Sequence, residues 1–209
     1  MHLLLTDRLT CPRCGPSFGL ILLANRLEDR VVHEGRLGCP NCRDSFRIED
    51  GFTDLREPPR GVLPEGLAGS PPMGESEEAG RLVALLGIAG GPGTVALVGA
   101  PARYASALTA SADEIQVVGV DADLHAWPET HRISRIVASP GLPFFGSALR
   151  AVGVDGRLGA HWLAEAARCV VPRGRVVVIR ATEGTEELLL AEGLSVLAAE
   201  AETVVATRG

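Results

Sequence analysis

The 209-residue sequence contains no lysine, and all 20 of its basic residues are arginine. Aromatic residues make up only 4% of the chain, so the core must be packed mainly from aliphatic side chains. Acidic residues outnumber arginines, which gives a net charge of −6. Proteins that hold nucleic acid unaided usually carry a basic surplus. We therefore expect no nucleic acid binding by this chain alone.

Long apolar runs are also missing. No stretch approaches the roughly 20 apolar residues of a membrane-spanning helix, and the start of the chain, MHLLLTDRLTCP, lacks the features of a signal peptide. These absences predict a cytoplasmic protein with no membrane partner. In a reducing compartment, the five cysteines favour metal binding over disulfide bonds.

The strongest motif is a pair of Cys-x-x-Cys sequences, CPRC at 11–14 and CPNC at 39–42. This spacing lets a tight turn point two sulfurs at one place, and two facing turns supply four thiolates in a tetrahedron. The sequence predicts a structural zinc site, with free thiols or bound iron as alternatives. Four protein ligands leave no open coordination position, so a catalytic metal is not expected. The predicted ligands are Cys11, Cys14, Cys39 and Cys42.

The residues around these cysteines resemble a known family. LTCPRCG, followed by LGCPNCRDSFRIEDGFTDLR, is similar to the zinc-ribbon activator subunits of tRNA, rRNA and release-factor methyltransferases and to their short bacterial relatives. The resemblance covers residues 2–56. It implies a small β-rich zinc ribbon over residues 1–56 whose edge strand pairs with a methyltransferase sheet, here in cis, and stabilises it without doing chemistry.

Residues 57–75 are rich in proline and glycine and predict a linker or an ordered strap. From Ser76, which is predicted to cap the first helix, strands alternate with helices up to residue 209. That alternation predicts an α/β fold with a doubly wound parallel sheet.

Two stretches of this second part, LPFFGSALRAV at 142–152 and LAEAARCVVPRGRVVVI at 163–179, resemble class I methyltransferases that use S-adenosylmethionine (SAM). The resemblance implies a Rossmann-like methyltransferase sheet over residues 76–209. In this family a helix, a Pro-Gly turn and a strand follow one another, so Pro172 and Gly174 are predicted to end the helix.

The cofactor loop of that family is only partly matched. After the first strand the family has an acid and three closely spaced glycines, which let the backbone approach SAM. In TVALVGAPARY only Gly99 matches; Leu97 takes the place of the acid, and Pro101 and Arg103 take the places of glycines. Asp121 matches the acid that binds the ribose hydroxyls, although it is also an ordinary turn residue. Gly99 and Asp121 are the candidate cofactor residues, and no catalytic residue is predicted.

Three functions fit these observations. The first is a scaffold or partner-binding protein with a degenerate SAM loop, whose partner is a methyltransferase or a second copy bound through a sheet edge. The second is an active SAM-dependent methyltransferase with a divergent loop. The third is a ribbon-led adaptor for RNA or a transcription complex, which the charge distribution disfavours.

Overall fold

The structure is a computed structural model that describes residues 1–71, 77–88 and 90–209. The predicted cap Ser76 and the end of the 57–75 segment lie outside these residues. The strands are β1 (Thr10–Cys11), β2 (Gly15–Gly19), β3 (Ile21–Glu28), β4 (Val31–Gly38), β5 (Ser45–Glu49), β6 (Phe52–Arg56), β7 (Gly93–Val98), β8 (Ile115–Val120), β9 (Ile133–Ser139), β10 (Leu149–Asp155), β11 (Val170–Ile179), β12 (Leu194–Glu200) and β13 (Thr203–Arg208). The α-helices are α1 (Glu77–Leu86), α2 (Ala105–Ser111), α3 (Ala160–Cys169) and α4 (Thr185–Ala191).

Eleven strands form one mixed sheet in the order β12-β13-β11-β10-β7-β8-β9-β6-β5-β4-β3. The strands from β11 to β6 in this order are parallel, which confirms the predicted α/β class. Helices cover both faces, because α1 and α2 contribute to one core cluster and α3 and α4 to the other. None of the described helices is long and apolar enough to cross a membrane.

The ribbon joins this sheet through one strand. β6 pairs in parallel with β9, from Phe52 opposite Arg135 to Arg56 opposite Ser139. This is the cis edge-strand pairing that the family resemblance implies. The two parts also share one apolar core, in which Phe46 of the ribbon belongs to the same cluster as Phe144.

Two tight turns shape the ribbon hairpins. Asp29 and Arg30 join β3 to β4 with φ of 46° and 64°, and Asp50 and Gly51 join β5 to β6 with φ of 47° and 69°. Positive φ at both central residues is the geometry of a two-residue hairpin turn that matches the strand twist. The Asp50–Gly51 turn therefore holds β6 in the register that β9 requires.

One prediction about the second part is wrong. Helix α3 ends at Cys169, and Pro172 and Gly174 lie inside β11 instead of ending the helix. Val170 already has extended backbone angles, so the chain enters the strand without a separate turn. Gly174 fits an irregular part of the β10–β11 pairing, where an added Cβ would lie 2.6 Å from the carbonyl oxygen of Arg150.

Candidate functional site

The four cysteines of the two motifs meet at one point. Their sulfur atoms all lie within 4.8 Å of one another, with 3.7 Å between Cys11 and Cys42 and 3.8 Å between Cys14 and Cys39. A tetrahedron with metal–sulfur bonds of about 2.3 Å has sulfur–sulfur edges of about 3.8 Å. These two distances match that edge, and the cluster could therefore hold one metal ion.

Each Cys-x-x-Cys turn also directs backbone N–H groups at its first sulfur. Those of Arg13 and Cys14 face Cys11, and those of Asn41 and Cys42 face Cys39. Burial opposes ionisation of the Cys39 thiol, but these donors, together with hydrogen bonds from the Cys11 and Cys42 side chains, lower its pKa to about 7. Burial raises the pKa of Cys11 and of Cys42. Hydrogen bonds to the thiolate favour the form that binds metal.

The turn after β7 keeps one feature of a cofactor loop. Gly99 has φ of 72°, in the left-handed region that glycine favours, and an added Cβ would lie 3.1 Å from Cβ of Asp155. The chain then forms a short 3-10 helix, Ala100–Tyr104, in which Pro101 is buried. Gly99 makes the predicted turn, while the following residues pack into the protein instead of forming an open glycine loop.

The carboxyl end of β8 is covered by the chain itself. Residues 57–71, which we call the strap, cross this edge of the sheet, and the Leu67 N–H donates to Asp121 Oδ2 at 2.9 Å. The other oxygen, Oδ1, accepts the N–H of Asp123 at 2.9 Å. Gly66 and Gly69 donate to the carboxylate of Asp123 at 3.1 and 2.7 Å. Both carboxylates are thus occupied by backbone donors, most of them from the strap.

The strap fits this edge closely. A Cβ on Gly66 would lie 2.0 Å from Asp121 Oδ1, so only glycine is accommodated there. The Leu67 side chain reaches the Gly99 turn, and Ala68 is fully buried. Trp127 donates its indole N–H to Gly69 O at 3.0 Å. The 57–75 segment was predicted as a linker or a strap, and its described part is an ordered strap.

A buried carboxylate that sequence reasoning missed lies at the end of β10. Asp155 is 0% exposed and accepts two bonds from Arg157, at 2.8 and 3.0 Å, and one from Arg180 at 3.2 Å. Burial alone would raise the pKa of Asp155, but hydrogen bonds from these arginines hold it below its ordinary value. The sequence feature that could have indicated this carboxylate is an acid directly after the apolar run AVGV.

Arg135 on β9 ties the ribbon to the sheet. It is almost fully buried and donates to the carbonyl oxygens of Leu124 (3.1 Å), Trp127 and Asp50. One guanidinium therefore connects the segment after Asp121 with the ribbon turn between β5 and β6. Beside it, an open groove of about 1040 Å³ runs between the outer face of the ribbon and the strap, with Phe52 and His125 in its wall.

No protein-family model matches the chain. A D-ribose pyranase of Pseudomonas putida (strain W619) is 38% identical over 96 residues, which span 45% of this chain and 71% of that protein. By this identity and coverage, the chain belongs to the family of that relative over the matched stretch. More than half of the chain lies outside the match, and the activity in the name is that of the relative.

Solved structures point to a different group of proteins. A geranyl diphosphate methyltransferase in complex with SAM has a TM-score of 0.53 and 11% identity, covering 63% of this chain and 84% of that one. The precorrin-6y C5,15-methyltransferase of Geobacter metallireducens has a TM-score of 0.51 and 13% identity, covering 66% and 90%. The fold of this chain is therefore methyltransferase-like.

The Haloferax volcanii Trm112 methyltransferase activator in complex with a methyltransferase is also similar, with 20% identity over 57% of this chain and 69% of that chain. Its TM-score of 0.46 is too low to support a shared fold. The solved structures show the fold alone, and the sequence relative covers 45% of the chain. The alignments to the methyltransferase structures span 63–66% of the chain, more than the sequence match does.

Proposed function

We propose that this chain is a methyltransferase-like scaffold protein that does not use SAM, and that its fused ribbon stabilises the sheet in cis. The observation that carries the proposal is the bond from the Leu67 N–H to Asp121. In the resembling enzymes the matching acid accepts ribose hydroxyls, whereas here a backbone donor of the same chain takes that acceptor.

A SAM molecule at this edge would compete with the strap. It would have to break the bonds to Asp121 and Asp123 and expose Ala68, which is fully buried. It would then meet Pro101, which has no backbone N–H to offer, and the Arg103 side chain. New contacts with SAM would replace only some of these hydrogen bonds and buried contacts. The covered edge therefore favours the scaffold over the active enzyme.

We also propose that the four cysteines hold a structural zinc ion. Four sulfur ligands within 4.8 Å of one another suit zinc in a closed site, where it would support folding and leave no position for substrate. The ion would fix the β1–β2 turn against the turn between β4 and β5. It would stabilise the ribbon and, through the shared core, the whole chain.

The surface we propose for a partner strand is the outer edge of β3, which pairs with no further strand in the described part of the chain. This eight-residue strand ends the sheet, and Ile21 and Leu23 are 56% and 50% exposed on it. An unpaired edge with exposed apolar side chains is suited to strand addition. Light scattering after size-exclusion chromatography tests a second copy as the occupant, because pairing through this edge gives a dimer and a monomer contradicts it.

The deciding experiment is calorimetric titration of the zinc-loaded protein with SAM and S-adenosylhomocysteine. We expect no binding to the wild type. Micromolar binding that is lost in Asp121→Ala would contradict the scaffold and support the alternative, an active methyltransferase with a divergent loop. D-ribose is titrated in parallel, because heat from that sugar would favour the activity named for the sequence relative.

A further inference from the structure

A smaller cavity lies at the edge of the sheet opposite to Asp121. It has a volume of about 180 Å³ and lies between the 3-10 helix Leu3–Arg8 of the ribbon and the amino ends of β7, β8 and β9. Leu5 lines it from the helix and Val118 from the sheet, and both are buried. A cavity of about 150 Å³ holds benzene. This cavity therefore has room for a six-membered ring with a small substituent.

Gln116 brings an unused amide group to the cavity wall. Its Oε1 is buried and accepts no hydrogen bond from residues 1–71, 77–88 and 90–209, and its Nε2 donates none to them. Thr94 is the register partner of Gln116 on β7, so the hydroxyl of Thr94 lies on the same face of the sheet. Buried polar atoms in folded proteins nearly always have a hydrogen-bond partner. The free donor and acceptor of this amide therefore indicate a ligand.

The charged side chains of the cavity wall balance one another. They are Arg8 and Glu114, one of each sign. His2 also lines the cavity, and its Nδ1 accepts a backbone N–H, which leaves the proton of the neutral ring on Nε2. Burial, together with the charges of His131 and Arg30, lowers the pKa of His2 and favours that neutral ring. Such a wall suits an uncharged ligand.

The geometry points to a binding site for a small uncharged molecule that carries an amide group on a flat ring. An amide presents a donor and an acceptor side by side, so it can form two parallel hydrogen bonds with the free amide of Gln116. Leu5 and Val118 would contact the ring, since ligand pockets combine apolar walls with a few polar groups. The inference goes beyond the scaffold function and does not depend on it, because the cavity lies at the other edge of the sheet from Asp121.

The test is a titration of the zinc-loaded full chain with benzamide, followed by ligand-observed NMR. We expect saturable binding. Benzoate has nearly the same shape but no N–H group, so one of its oxygens would face the Gln116 Oε1 without a proton between them. It should therefore bind at least about tenfold more weakly than benzamide. If the cavity holds water only, benzamide gives no saturable signal, and that result would overturn the proposal.

Gln116→Met is the deciding variant, because methionine has a similar length and offers no amide. It should weaken benzamide binding at least about tenfold. Without benzamide it should melt no lower than the wild type, since it no longer buries an unpaired amide. Gln116→Asn, with its amide on a shorter side chain, should retain part of the affinity. Thr109→Val removes a buried hydroxyl from α2, outside the cavity lining, and is the control that should bind benzamide like the wild type.

Three results would overturn the proposal besides an absent benzamide signal. The first is equal benzamide affinity in the wild type and Gln116→Met, and the second is equal binding of benzamide and benzoate. The third is a lower melting temperature of Gln116→Met without benzamide, which would show that the fold itself uses the amide. SAM binding in the separate calorimetric test would contradict the scaffold and leave this result standing.

Discussion

The cysteine cluster and the carboxyl end of β8 differ in whether their side chains are available to bind a ligand. At the cysteine cluster, four sulfurs converge within reach of one metal ion, and backbone N–H donors help to lower the pKa of Cys39. At the end of β8, Asp121 has the expected residue type and place, but backbone N–H groups already occupy it. A residue that matches a motif therefore has to be judged by its existing hydrogen bonds as well as by its type and place.

The largest effect should come from breaking the cysteine cluster. We expect Cys39→Ser to lose most bound metal and to unfold the ribbon, because structural zinc contributes roughly 10–16 kcal/mol of apparent binding energy in small zinc domains. Metal analysis and thermal unfolding measure both losses. Cys169→Ala is the control, since that buried cysteine lies outside the cluster and its loss should leave the metal content unchanged.

Replacing Arg135 should have the next largest effect on stability, because Arg135 connects the ribbon turn at Asp50 with the segment that follows Asp121. In Arg135→Met, three carbonyl oxygens lose their buried donor, which should lower the free energy of unfolding by about 3 kcal/mol. Urea denaturation measures the change. The exposed Arg47→Met, whose pair with Glu49 is on the surface, should cost well under about 1 kcal/mol. Equal losses would show that Arg135 does not join the ribbon to the sheet.

A smaller effect should follow from loosening the strap. Gly66→Ala forces a Cβ against Asp121 and Asp123, so the strap should lift, costing about 1–3 kcal/mol and speeding its proteolysis. Gly61→Ala changes the same segment where an added Cβ meets nothing within 4 Å, and should be nearly neutral. If SAM binds Gly66→Ala but not the wild type, the strap is what keeps the edge closed.

The smallest effect concerns acid stability. The lowered pKa of Asp155 means that its contribution is fully present above its ordinary value of 3.8 and is lost as pH falls through the lower value of the folded state. Urea midpoints between pH 6 and pH 2.5 should therefore fall less steeply for Asp155→Asn than for the wild type. Asp113→Asn, at an exposed position, is the control for the loss of one carboxylate.

Much of the fold could be predicted because its signals are local. The Cys-x-x-Cys spacing indicated the metal cluster, and the alternation of apolar runs with amphipathic segments indicated the α/β sheet. The strap over Asp121 could not be predicted, since it joins residues more than fifty positions apart through backbone N–H groups, which leave no pattern in side-chain identity. Asp155 shows this limit only in part: its partner Arg157 is two positions away, but Arg180 becomes a neighbour only when β10 and β11 pair.

The parallel pairing of β6 with β9 has a consequence for how the chain is made. These strands are separated by about eighty residues, and such distant contacts form late in folding. During synthesis the ribbon emerges first, with the edge of β6 unpaired until β9 follows. A nascent chain with an open edge is prone to pair with other chains. We therefore expect early metal loading of the ribbon to limit aggregation during translation, by holding that strand in place until its neighbour arrives.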